Sequence, residues 1–70
     1  MNEAVIFNNF KSGYAPEQIN QTMTVGELID FLSENYDEET PIYISNDNGY
    51  TYGGITAGQF EIEDLDELNR

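Results

Sequence analysis

A helix start signal in the middle of the chain constrains the fold more than any other feature. Thr24 and Glu27 have the spacing of a capping box, in which each side chain accepts a hydrogen bond from the other residue's amide. Apolar residues follow at helical spacing: Val25, Leu28, Ile29, Leu32 and then Tyr36. The pattern predicts a helix from about Val25 to Asn35, because Pro41 stops any continuation past the acidic turn that follows.

A β-hairpin directly after the helix is the second well-marked element. Residues 41–45 alternate in polarity, Asn48-Gly49 is the pair favoured in type I′ turns, and residues 50–52 resume a strand. With Asn48-Gly49 as a two-residue loop, one sheet face carries Ile42, Ile44 and Ile55 and packs on the helix. The other face then carries Tyr43, Asp47, Tyr50 and Tyr52. A bulge at Gly53-Gly54 is the alternative, and it changes the pairing beyond Tyr52.

The two ends of the chain carry weaker signals. Phe60–Glu63 alternates and predicts a third strand, while Asp64–Asn69 is either a last helical turn or a frayed acidic tail. Ala4–Phe7 is either a strand or part of a short helix that ends at Gly13. Together the elements predict one α+β domain over residues 1–70, with one central helix packed on a small antiparallel sheet that contains a type I′ hairpin.

The composition removes most catalytic chemistry. The 70 residues include no cysteine and no histidine, so the chain has no thiol nucleophile, no thiolate ligand and no imidazole base. A carboxylate pair of the glycosidase kind needs a sugar-binding cleft, for which so small a core leaves no room. The longest apolar run, Ala4–Phe7, is too short to span a membrane. We therefore expect a cytoplasmic protein that is not an enzyme and has no cofactor.

A calcium site is not expected, although Asn46-Asp47-Asn48-Gly49 resembles the middle of an EF-hand loop. With Gly49 as the sixth loop position, the first and twelfth positions are Ile44 and Ile55. Neither supplies an oxygen ligand, and the hairpin turn accounts for the same residues.

Charge is the main indication of a partner. Fourteen carboxylates oppose only Lys11 and Arg70, which gives a net charge of −12. Such a chain repels nucleic acid and anionic membranes and attracts basic surfaces, which are common on nucleic-acid-binding proteins. The alternative is that the acidity serves only solubility.

Acidic and aromatic side chains together form the candidate partner-binding set. Two interpretations of the tyrosines remain open: Ala4–Phe10 or the C-terminal segment covers them, or they form an exposed aromatic patch with an acidic rim, as protein interfaces favour. The candidates are the helix acids Glu27, Asp30 and Glu34, the turn acids Asp37, Glu38 and Glu39, and the hairpin residues Tyr43, Asp47, Tyr50 and Tyr52.

A resemblance of part of the sequence to other proteins also favours a partner-binding role. The stretch from Thr24 to Ile55 reads TVGELIDFLSENYDEETPIYISNDNGYTYGGI. It resembles small acidic proteins of bacteriophages and mobile elements of low-GC bacteria, which share the TVGEL helix start and the DNGY hairpin. Some comparable phage proteins inhibit host defence or DNA-handling enzymes, a few as DNA mimics, and the resemblance implies such a role without assigning any residue.

Residues and resemblance together favour a non-catalytic binding module, an inhibitor that occupies the basic nucleic-acid groove of a host protein. Carboxylates would stand where phosphates lie, and tyrosines would anchor the contact. The alternative is an accessory or structural protein that homo-oligomerises through the sheet edge or through the tyrosines.

Overall fold

A three-stranded sheet and one longer helix form the fold. The elements in chain order are β1 (Val5–Asn8), α1 (Val25–Asn35), β2 (Ile42–Asn46), β3 (Thr51–Gly54) and the single turn α2 (Leu65–Leu68). This computed structural model describes residues 2–68. β2 lies in the centre of the sheet, parallel to β1 and antiparallel to β3. The chain is therefore α+β, as its sequence predicts.

Helix α1 begins and ends where the sequence predicts. Thr24 is extended, its hydroxyl accepts from the Glu27 amide at 3.2 Å, and the Glu27 carboxylate accepts from the Thr24 amide at 2.9 Å. This capping box satisfies two of the amides that a helix start leaves unpaired. At the other end Tyr36 is extended, and its amide still donates to the carbonyl of Leu32.

The hairpin has the predicted register. The four pairs of strand residues are Tyr43–Gly54, Ile44–Gly53, Ser45–Tyr52 and Asn46–Thr51. Because this pairing is one to one, Gly53 and Gly54 lie in an unbulged ladder.

The loop of the hairpin is longer than predicted. Four residues separate Asn46 from Thr51, instead of two. Asp47, Asn48 and Gly49 all have positive φ, at 51°, 59° and 91°. A left-handed Asp47 cannot continue the ladder, so the predicted pair between Asp47 and the last loop residue does not form. The type I′ assignment stays a prediction.

The third strand is β1 and not Phe60–Glu63, and the sheet is mixed rather than antiparallel. β1 lies beside β2 in register, with Val5 opposite Ile42 and Phe7 opposite Ile44. The amide of Val5 donates to the carbonyl of Pro41 at 2.9 Å, which extends the ladder backwards. The run at Ala4–Phe7 is thus a strand, and β1, α1 and β2 form a β-α-β unit.

The C-terminal segment turns away from the sheet before it can pair. Thr56 and Gln59 bracket a 3₁₀ turn, with the Gln59 side chain accepting from the Thr56 amide. Such a turn after β3 redirects the backbone, so Phe60–Glu63 has no strand partner. Of the two alternatives for Asp64–Asn69, the helical turn is present as α2, and Asn69 lies outside the described residues.

The apolar side chains bury one another only in part. On one sheet face Val5, Ile42 and Ile44 are half-buried, and Ile55 remains 41% exposed. The backbone of α1 does not approach the strands as closely as the strands approach one another. Within the part of the chain that the structure describes, Ser45 is the one buried residue. The predicted packing of helix on sheet is therefore open, and the radius of gyration is 14.2 Å, against about 11 Å for a compact chain of this length.

Candidate partner-binding surface

Two of the predicted tyrosines share one face of the sheet. Tyr43 lies on β2, and Tyr52 lies on β3 opposite Ser45, two residues further along β2. Since side chains alternate along a strand, Tyr43, Ser45 and Tyr52 point to the same side, as does Ile6 of β1, which is opposite Tyr43. We call these four residues the tyrosine face. Diagonal neighbours of this kind have Cα atoms about 7–8 Å apart, close enough to act as one patch.

The two tyrosines of the tyrosine face are exposed, although Ser45 between them is buried. Tyr43 is 44% exposed and Tyr52 is 61% exposed. The expectation that Ala4–Phe10 covers them is wrong, because β1 extends the sheet sideways instead of lying over it. The C-terminal segment does not cover them either, since its residues 60–66 are themselves exposed.

Tyr50 and Asp47 belong to the hairpin loop and not to the strand face. Tyr50 has helical backbone angles and is 87% exposed. Its position is therefore set by the loop and not by strand alternation, so the predicted line of three tyrosines is reduced to two. A Cβ on Gly49 would lie 3.3 Å from the Tyr52 hydroxyl, which shows that this phenol reaches over the loop.

The turn acids lead directly into the tyrosine face. The Asp37 carboxylate accepts from the amide of Glu39 at 2.8 Å, and the Asp37 carbonyl accepts from Thr40 at 3.0 Å, so this turn is held by its own first residue. β2 begins two residues later, with Tyr43 as its second residue. Asp47 follows the other end of β2, about 13 Å beyond Tyr43 at the rise of a strand. Carboxylates therefore lie at both ends of the strand that carries Tyr43.

The helix acids form a separate group. Glu27, Asp30 and Glu34 occupy one arc of α1, opposite its apolar residues, at a spacing of three and four residues. Glu27 is already engaged, because its carboxylate closes the capping box. α1 lies less close to the strands than the strands lie to one another, and these three acids and the tyrosine face belong to different elements.

Sequence reasoning missed Glu3 and Tyr36. Together with Asp37 they border an open depression between the start of β1 and the end of α1. The Tyr36 ring is 44% exposed and meets Phe31 edge to face, with centroids 6.1 Å apart. Only the parallel pairing of β1 with β2 brings Glu3 to this place, and no local signal in the sequence marks it.

Comparisons with protein-family models, with curated proteins and with solved structures find no match. None of the helices in the described residues is long and apolar enough to cross a membrane. Over that same part of the chain, no three acidic side chains are grouped to hold a metal ion.

Proposed function

We propose that this chain is a non-catalytic binding module that occupies a basic protein surface, in the manner of a nucleic-acid mimic. The observation that carries the proposal is the exposure of Tyr43 and Tyr52 on neighbouring strands, with carboxylates before and after the strand that carries Tyr43. Exposed aromatic side chains with a charged rim are the composition of protein interfaces. The tyrosines act as anchors, and the turn acids steer the encounter.

The charge density of the molecule supports mimicry of one phosphate strand of a DNA duplex. Divided by the longest dimension of 46 Å, the net charge of −12 corresponds to one negative charge per about 3.8 Å. One strand of DNA carries a phosphate per ~3.4 Å of helix axis. A protein groove that attracts a strand of phosphates therefore experiences a similar field from this chain.

The end of α1 provides a second reason to expect a cationic partner. A helix C-terminus carries partial negative charge, and cations there are stabilising by about 0.3–1 kcal/mol each. Here the last turn has no basic residue, while Glu34, Asp37 and Glu38 lie in or just after it. This end of the helix is therefore strained electrostatically in the free chain, and a basic surface docked on it relieves the repulsion.

In this proposal the chain works in the cytoplasm, needs no cofactor and catalyses no reaction. Its resemblance to small acidic phage proteins suggests the target class: a host protein that handles or defends nucleic acid. The proposal assigns the binding energy to the tyrosine face and the association rate to the turn acids.

The test is capture followed by comparison of variants. The immobilised chain is exposed to nuclease-treated bacterial lysate, the retained basic protein is identified, and its affinity is measured with purified components. We expect Tyr43→Ala and Tyr52→Ala each to weaken binding by roughly 30-fold or more, the loss expected at an interface anchor. Tyr14→Ala is the matched control, because Tyr14 is fully exposed and lies outside the sheet.

Neutralising the turn acids, as Asp37→Asn, Glu38→Gln and Glu39→Gln together, should slow association more than it speeds dissociation. Tyrosine variants that bind like the Tyr14 control would overturn the assignment of the tyrosine face. Retention of no basic protein from lysates of several bacteria would overturn the proposal as a whole.

A further inference from the structure

The chain exposes far more surface than a folded monomer of its mass. Its accessible surface is 6762 Å², whereas a folded chain of 8.0 kDa exposes about 4,500 Å². The excess is roughly 2,300 Å². A surface of this size needs a partner if the fold is to be stable, because burial of apolar surface is the dominant favourable term in folding.

The apolar side of α1 is the best-defined part of this excess. Val25, Leu28 and Ile29 are 78%, 45% and 60% exposed, and no residue of the helix is buried. With Leu32 they form one stripe, which we call the apolar face of α1. A stripe at this spacing normally faces a core. Here Leu32 is half-buried and Leu28 is partly covered, but Val25 and Ile29 stay largely exposed.

We propose that the apolar face of α1 packs against the same face of a second copy of this chain, in a two-fold symmetric dimer. The occupant must be present whenever the chain folds, since the described residues contain no buried apolar side chain to hold the fold on their own. A second copy meets that condition wherever the chain is made in more than one copy. A self-complementary stripe on one helix is also the simplest element for a two-fold interface.

The exposed surface of the whole chain is large enough for a dimer. Obligate homodimers bury about 2,000 Å² or more in total, hence about 1,000 Å² from each copy. The excess surface of one chain is more than twice that amount. A dimer through α1 therefore uses part of the excess and leaves the tyrosine face free, so the inference goes beyond the proposed function and does not compete with it.

Electrostatics permits this contact despite the charge of each copy. The helix acids lie on the arc of α1 opposite the apolar face, so two packed helices place them on their outer sides. Helices in contact have axes about 8–10 Å apart, which puts the two acidic arcs well beyond the Debye length of about 8 Å at physiological salt. Added salt screens the repulsion that remains between two copies of net charge −12, so it should tighten the dimer, whereas it should weaken binding to a basic partner.

The experiment is sedimentation equilibrium of the full chain with light scattering, in about 0.15 M salt, followed by thermal unfolding at several concentrations. We expect twice the 8.0 kDa chain mass and a melting temperature that rises with protein concentration. Ile29→Gln should raise the dissociation constant by roughly a hundredfold or more, because a two-fold interface loses the residue twice. Glu34→Gln is the control, since it places the same residue on the opposite arc of α1 and should leave the dimer intact.

If Ile29→Gln fails to fold, the mass and the melting behaviour of the unaltered chain still show whether the chain is a dimer. A mass of 8.0 kDa across a hundredfold range of concentration, with a melting temperature that does not change, overturns the dimer. A dimer that Ile29→Gln and Glu34→Gln affect equally overturns the assignment to α1. Both results are obtained without the basic partner, so they are independent of the proposed function.

Discussion

At the scale of single residues, the start of α1 depends on one hydroxyl. The Thr24 hydroxyl accepts a hydrogen bond from the Glu27 amide, and the Thr24 amide donates one to the Glu27 carboxylate. Thr24→Ala removes that acceptor and should cost about 1 kcal/mol. In a chain of this length the midpoint of thermal unfolding should fall by about 4–8 °C. Thr22→Ala, two residues before the cap, should leave it unchanged, and equal shifts for the two variants would show that the cap does not start the helix.

Two glycines should respond in opposite directions to the same change. Gly49 has φ of 91°, and an added Cβ would lie 3.3 Å from the Tyr52 hydroxyl. Gly49→Ala should therefore destabilise the fold by about 1–2 kcal/mol. Gly26 lies in α1 with nothing within 4 Å of an added Cβ, so Gly26→Ala should stabilise it by up to about 1 kcal/mol. Denaturant unfolding measures both, and a stabilising Gly49→Ala would contradict the left-handed loop.

At the scale of elements, two isoleucines separate the strand that forms from the strand that does not. Ile44 is half-buried in the central strand β2, whereas Ile62 is 97% exposed in a segment with no partner. Ile44→Ala should cost about 2 kcal/mol, the low end for a core truncation, because burial is partial. Ile62→Ala should cost close to nothing. Equilibrium unfolding at one protein concentration compares the two variants. An equal loss of unfolding free energy for Ile62→Ala would mean that Phe60–Glu63 is a packed strand after all.

Local signals account for what the sequence predicts correctly about these elements. The bounds of α1 follow from Thr24, Glu27 and the apolar spacing, and the hairpin register follows from alternation around Asn48-Gly49. Each of these signals acts between residues close in sequence. The loop length escaped prediction because the left-handed angle at Asp47 extends the turn by two residues, Asp47 and Tyr50, that alternation assigns to the strands.

The non-local parts of the sheet could not be predicted in this way. Nothing in Ala4–Phe7 or Phe60–Glu63 says which of them pairs, since both alternate or carry apolar residues. The choice depends on the parallel ladder of β1 with β2, and on the turn at Ala57–Gln59 that sends the C-terminal segment away. The same holds for the candidate surface. The shared face of Tyr43 and Tyr52 could be predicted from the hairpin, whereas the proximity of Glu3 and Tyr36 could not, because it depends on β1.

At the scale of the whole molecule, the charge should make stability depend on salt. Folding brings fourteen carboxylates closer together, with two basic residues to offset them. Monovalent salt should therefore raise the free energy of unfolding at neutral pH, with most of the gain below ~0.2 M, where the Debye length falls to about 8 Å. Chemical denaturation at several salt concentrations measures this. A stability that falls with salt would mean that attractive pairs, and not repulsion, dominate the folded state.

The central claim is that this chain takes the place of nucleic acid on a basic protein, and displacement tests it most directly. A fluorescent DNA duplex is bound to the protein that the chain retains, and the chain is added while fluorescence anisotropy is followed. The account predicts release of the duplex in proportion to occupancy by the chain, at a concentration that rises with salt and with Tyr52→Ala. A duplex that stays bound while the chain also binds would contradict the claim.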